Sequence, residues 1–172
     1  MKSKIYRGST NINYQQGRSH ADKQVPLVAT GVSFEPILLY LLRPPEDDMN
    51  GDIGRYLEPI TIGFGSGSVS ESEKITNVLT ALFKIKTYYY GETGLHNVLY
   101  ASDLKVAKVE LKNDVYQVDI TGKVVGLGVV ADAFYKLQIT KVIEQYTKKY
   151  KITLNGSENA WRCALDMSGM CR

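Results

Sequence analysis

No stretch of this sequence approaches the roughly 20 consecutive apolar residues that a membrane-spanning helix requires. The best run, Pro36 to Leu42, has only strand length. Histidine is nearly missing: His20 and His96 are the only two, and neither stands in a recognisable catalytic motif. Cysteine is as scarce, with Cys163 and Cys171 alone. Their spacing is not that of a zinc site, and so few imidazoles leave the ligand set incomplete, so no metal is expected. Charge of one sign is also lacking. A formal net charge of +3, spread along the chain, does not give the concentrated basic face with which nucleic-acid domains neutralise phosphates. The densest basic stretch, Lys148-Lys149-Tyr150-Lys151, reads as the end of a helix, where cations complement the dipole.

Catalytic patterns are missing too. There is no Gly-x-Ser-x-Gly elbow. Asp47-Asp48 falls in a loop, and a lone Asp119 has no acid–base partner in sequence. Gly65-Ser66-Gly67-Ser68 precedes a helix, as a phosphate cradle does. No Gly-Lys-Ser/Thr follows it, and Ser70 stands where a dinucleotide fingerprint has its third glycine, so a plain connection is expected. These absences predict a chain that is not an enzyme and carries no cofactor.

What is present is enough for one core: 172 residues, 44% of them apolar. Residues 1–31 are polar, rich in Ser, Asn, Gln, Gly and Arg, and read as a flexible leader or linker; Met1-Lys2-Ser3-Lys4 has no apolar segment behind it. A single domain is expected over 32–172, with a C-terminal tail at 157–172. Ile37 to Leu42 reads as a strand buried on both faces. Leu57 to Phe64 reads as a second strand, with Ile60, Ile62 and Phe64 on one face and Pro59 marking an edge. Ser70-Glu71-Ser72-Glu73 fits a capping box, and Ile75, Val78, Leu79, Leu82 and Phe83 follow at helical spacing.

Leu104 to Leu111 and Val115 to Ile120 predict a hairpin turning at Asn113-Asp114. The apolar phase slips between Val106 and Ala107, which predicts a bulge. A long helix is expected from about Val129 to Tyr150, with a polar stripe at Asp132, Lys136, Thr140, Glu144 and Lys148. A short strand, Lys151 to Leu154, ends at Asn155-Gly156. The order β-β-α-β-β-α-β predicts an α+β two-layer sandwich, one mixed sheet with two helices on one face.

Two features point outward. Tyr88-Tyr89-Tyr90 concentrates amphipathic rings of the kind favoured at interfaces; the alternative is that alternate rings pack back on the sheet edge. With His96 in the loop that follows, this segment is the candidate contact surface. Cys163 and Cys171 can close a small loop if the chain turns at Ser168-Gly169. A disulfide is expected in an extracytoplasmic setting, two free thiols in the cytosol. Trp161 reads as a staple pinning the tail.

The stretch from Lys105 to Ile120, KVAKVELKNDVYQVDI, resembles the strand, turn and Val-Asp-Leu-Ser strand of the GerMN domain, with Thr121 in the Ser position. That domain occurs in sporulation and germination proteins and in bacterial envelope lipoproteins. Leu39-Tyr40-Leu41, Tyr56 to Ile60, the helix Ile75 to Phe83, Ile139 to Tyr146 and Ile152 to Gly156 extend the resemblance over roughly 36–156. Tyr88 to Tyr90 replaces a Gly-Pro of the family, and Asn-Asp replaces its Asp-Gly turn. The resemblance implies an extracytoplasmic, non-enzymatic module of the cell envelope, membrane-anchored ahead of its leader or secreted. Its implied partners are envelope proteins or a second copy of itself, with peptidoglycan also in reach.

Three functions compete. An interaction module predicts an exposed edge or tyrosine patch. A peptidoglycan glycan- or peptide-binding domain predicts a groove with a stacking ring. An enzyme assembled around His96 predicts a pocket with a perturbed titrating group.

Overall fold

Among the residues that a computed structural model describes, the alternation and periodicity of the sequence resolve into five strands and three α-helices. The structure describes residues 34–43, 53–66, 69–165 and 171. The chain divides into two units, Met1–Gly31 and Val32–Arg172, and every described residue belongs to the second. The leader expected over 1–31 therefore lies outside the described residues, as do Asp47, Asp48, Gly67 and Ser68.

β1 (Phe34–Leu42) and β2 (Leu57–Ser66) form an antiparallel pair. A single 3-10 turn, Ile53–Tyr56, leads into β2. Pro59 sits opposite Tyr40. Ile62 stays 37% exposed and Ile60 is half-buried, so the face read as apolar is only partly covered at these two residues. α1 (Glu71–Lys84) starts where the cap predicts: the Ser70 hydroxyl accepts from the Glu73 amide at 3.3 Å. Its apolar stripe, Ile75, Val78, Leu79, Leu82 and Phe83, is buried throughout.

β3 (Asp103–Lys112) and β4 (Val115–Lys123) are the expected hairpin. Asn113 and Asp114 both adopt left-handed backbone angles, φ 50° and 63°, which these residue types tolerate. The register shifts between Val106 and Lys108, where the apolar phase slips. α2 (Val129–Glu144) then crosses over to β5 (Tyr150–Leu154), which runs parallel to β4. The hydrogen-bonded order is β3-β4-β5, a mixed three-stranded sheet.

The α+β sandwich stands, with three corrections to its detail. The described strands do not join in one sheet but divide into a two-stranded and a three-stranded sheet. The reason is visible on β1, whose outward carbonyls are taken by side chains of α2 rather than by a strand. Gln138 donates to Tyr40 at 2.8 Å and Gln145 to Leu38 at 3.0 Å.

Secondly, α2 ends at Glu144, well before Tyr150. The Gln145 side chain turns back on Val142 at 2.9 Å, and the Thr147 hydroxyl accepts from the Lys149 amide at 3.1 Å, which redirects the chain. Lys148 and Lys149 therefore lie in a turn, and Tyr150 and Lys151 lie in β5, not at a helix end. Lys148 instead pairs with Glu144 at 3.5 Å, and Lys149 with Asp114.

Thirdly, the tail carries a short helix, α3 (Glu158–Cys163), capped by the Ser157 hydroxyl on the Ala160 amide at 3.1 Å. It packs on β5, and the Trp161 ring lies 6.1 Å from that of Tyr135.

One apolar core runs through both sheets. Leu39 and Leu41 of β1, Leu82 of α1, Val118 and Ile120 of β4, and Phe134, Ile139 and Ile143 of α2 are all within 1% of full burial.

Candidate functional site

Between α1 and β3 the chain makes a loop whose ends are held from inside. Asn97 is fully buried. Its side-chain amide donates to the Ile85 carbonyl at 2.8 Å, its side-chain oxygen accepts from the Leu99 amide at 3.1 Å, and its own backbone amide donates to Tyr88 at 2.8 Å. A buried asparagine satisfied on this many sides fixes the loop as rigidly as a strand would. Leu95, Val98 and Leu99 anchor the same loop in the core.

The tip is a tight turn. The Tyr90 amide donates to Leu95 at 2.9 Å, and Thr93 bonds back to the Tyr90 carbonyl at 2.6 Å through its hydroxyl. Gly91 and Gly94 both sit at positive φ there. His96 completes the frame by exchanging backbone hydrogen bonds with Leu42 of β1, at 2.7 and 2.9 Å.

On this frame stand four rings. The Tyr88 ring lies 4.4 Å from the His96 imidazole at a tilt of 31°, 5.1 Å from Tyr89 at 78°, and 5.5 Å from Tyr100 at 65°. Tyr89 meets His96 edge-on at 4.9 Å. These are the offset and edge-to-face arrangements that ring quadrupoles favour. Tyr89 is 61% exposed, Tyr88, His96 and Tyr100 are half-buried, and Tyr90 turns back against the core.

The structure thus gathers Tyr88, Tyr89 and His96 into one cluster and separates Tyr90 from them. Tyr100 and the buried Asn97 are members that sequence reasoning missed. The apolar residues Leu95, Val98 and Leu99 were a usable signal, because a loop this apolar goes inside and needs a polar partner there for its backbone.

Burial holds the His96 imidazole below its ordinary pKa. Among the described residues no carboxylate, hydroxyl or thiol is hydrogen-bonded to it. Asp119 is occupied structurally, accepting from the Thr153 hydroxyl across β4 and β5 at 2.7 Å. No cluster of three or more His, Cys, Asp or Glu side chains able to hold a metal is found among the described residues. Cys163 and Cys171 are joined in a disulfide, with Cα atoms 5.5 Å apart. No helix among the described residues is long and apolar enough to cross a membrane.

No known protein family matches the chain, and no curated protein does. Two solved structures resemble it. One is a candidate lipoprotein from Clostridium perfringens, at 16% identity, 72% of this chain, 76% of that chain and a TM-score of 0.41. The other is the tandem GerMN domains of the sporulation protein GerM from Bacillus subtilis, at 18% identity, 76% of this chain and a TM-score of 0.45. The match covers 43% of that second chain.

Proposed function

We propose that this chain is a non-enzymatic interaction module of a bacterial cell envelope, docking a partner protein through the surface of Tyr88, Tyr89, His96 and Tyr100. The observation that carries this is the exposure of Tyr89. A large ring is held out in solvent, 61% exposed, while its neighbours Tyr88 and His96 brace it at 5.1 and 4.9 Å. A ring already fixed loses little rotamer freedom on binding, which is why rigid tyrosines dominate contact energetics. The disulfide between Cys163 and Cys171 supports an oxidising, extracytoplasmic setting. The sequence resemblance over 36–156 supports the envelope.

A photo-crosslinking residue placed at position 89 in cells tests this against one at Leu111, which is also exposed (53%) but stands at the far end of the hairpin. A discrete envelope protein, or a second copy of the chain, is expected to crosslink at 89 and not at 111. Tyr89→Ser is expected to leave stability within about ±0.5 kcal/mol, as surface changes do, while abolishing co-purification of that partner. Equal crosslinking at both positions overturns the reading. Tyr89-dependent pelleting with purified peptidoglycan, and no protein crosslink, replaces it with a glycan-stacking role for the same ring.

A further inference from the structure

A second surface, on the other side of Lys86 in the chain, has the features of a peptide groove. It lies between the C-terminal half of α1 and the outer edge of β3, with a volume of about 420 Å³. Thr80, Phe83 and Lys84 form one wall, Lys86 the end, and the four consecutive residues Asp103 to Val106 the other wall. Successive side chains of a strand point to opposite faces. A groove that touches four in a row therefore runs along the strand's edge, where its backbone groups are.

The edges of this fold are not alike. On β1 the Tyr40 and Leu38 carbonyls are taken by Gln138 and Gln145, and both backbone groups of Leu42 by the His96 backbone. On β5 the edge is flanked by α3, with Ser157 bridging Leu154. β2 places Pro59 opposite Tyr40. Tyr40 faces away from β2, so Pro59 also points outward, and the proline removes a donor from that edge. β3 has β4 on one side and, among the described residues, no strand on the other.

The chemistry of the groove selects what can add there. Its floor is apolar: Phe83 and Leu104 are 5% and 4% exposed. Its rim carries Lys84, Lys86 and Lys105 against one acid, Asp103. Lys86 donates to the Ser102 carbonyl at 2.6 Å; among the described residues no carboxylate pairs with Lys84 or Lys105. A second copy of β3 would bring its own Lys105 and Lys108 to these lysines, and edge lysines oppose such self-pairing. We propose that this groove takes an extended acidic peptide segment of a partner, added to β3 as a further strand. Main-chain hydrogen bonds supply the register, alternate apolar side chains enter between Phe83 and Leu104, and acidic side chains meet Lys84 and Lys105.

The test uses the full chain and three short synthetic peptides. One alternates Glu and Val, one alternates Lys and Val, and one is the Glu/Val peptide N-methylated at every second amide. Saturable binding of the Glu/Val peptide is expected by fluorescence anisotropy, with NMR shifts concentrated in the amides of Asp103 to Val106. The double variant Lys84→Glu/Lys105→Glu is expected to weaken it by about tenfold or more, equivalent to about 1.4 kcal/mol. Lys84→Gln/Lys105→Gln, with unchanged circular dichroism, is expected to fall between. The N-methylated peptide, unable to complete the ladder, is expected not to bind. No saturable binding, equal binding of the Lys/Val or N-methylated peptide, or shifts elsewhere on the protein overturns the proposal. Lysine-dependent binding of anionic phospholipid vesicles without peptide binding overturns it in favour of a membrane surface.

Discussion

Gln138 and Tyr40, 98 residues apart in the chain, meet through a 2.8 Å hydrogen bond from the Gln138 side-chain amide to the Tyr40 carbonyl. Gln138 is fully buried on α2, so a helix side chain occupies the place a neighbouring strand would fill. Two turns further on, Gln145 does the same for Leu38. The Gln138 oxygen has no hydrogen-bond partner among the described residues.

Replacing Gln138 separates these terms. Gln138→Leu leaves the Tyr40 carbonyl unpaired but also removes the orphan oxygen, and the cost expected in urea denaturation is about 1–3 kcal/mol. Gln138→Glu, which sets a carboxylate against that carbonyl in the core, is expected to cost more. A glutamate variant as stable as the leucine variant at neutral pH contradicts this account.

Among the described glycines, Gly122 makes the tightest backbone approach. It sits at φ 123°, and a Cβ there would lie 1.8 Å from the Asp103 carbonyl oxygen. Asn155 clamps the same residue, accepting from its amide at 2.8 Å and donating to its carbonyl at 2.9 Å. Gly122→Ala is expected to destabilise by more than about 1 kcal/mol, whereas Gly63→Ala, with open space around it, is expected to be neutral or mildly stabilising. Thermal melts of the two variants check the contrast; equal melting temperatures contradict it.

Acidification should act through His96. Burial lowers its pKa in the folded chain, so the unfolded chain takes up the proton first as pH falls through the ordinary histidine value of about 6.5. Stability is therefore full above that value and declines below it. Urea midpoints of the wild type and of His96→Gln, compared at about pH 7 and about pH 5, are expected to show a smaller decline in the variant. A variant that loses as much as the wild type assigns the decline to other groups.

The cysteines give a direct chemical check. Unreduced, denatured protein is expected to show no free thiol, since Cys163 and Cys171 are bonded and no other cysteine exists. Two titratable thiols would remove the support for an extracytoplasmic setting.

These expectations mark where the sequence was readable. α1 and the β3–β4 hairpin were legible down to the Ser70 cap and the bulge near Val106, because each rests on periodicity and residue preference within a few positions. α3 was missed although Ser157 and Glu158 form an ordinary helix start, because six residues are too few for a period to register. The separation of β1–β2 from the other sheet depends on Gln138 and Gln145 finding carbonyls about a hundred positions earlier. No local pattern encodes that. At the candidate site, tyrosine concentration flagged Tyr88 and Tyr89, while Asn97 and Tyr100 acquire their places only once the loop is folded.

The order in which the chain is made gives the glutamine closure a further consequence. β1 and β2 leave the ribosome early and can pair at once; His96 later closes Leu42, but the side chains that take the Leu38 and Tyr40 carbonyls arrive only with residues 145 and 138. Throughout that interval a nascent apolar strand, Ile37 to Leu42, carries open carbonyls at Leu38 and Tyr40. Such an edge is a template for another chain. Synthesis that stalls before α2, or a truncation there, leaves this polypeptide with an apolar strand edge uncovered, and the nascent chain is where a chaperone has the most to do.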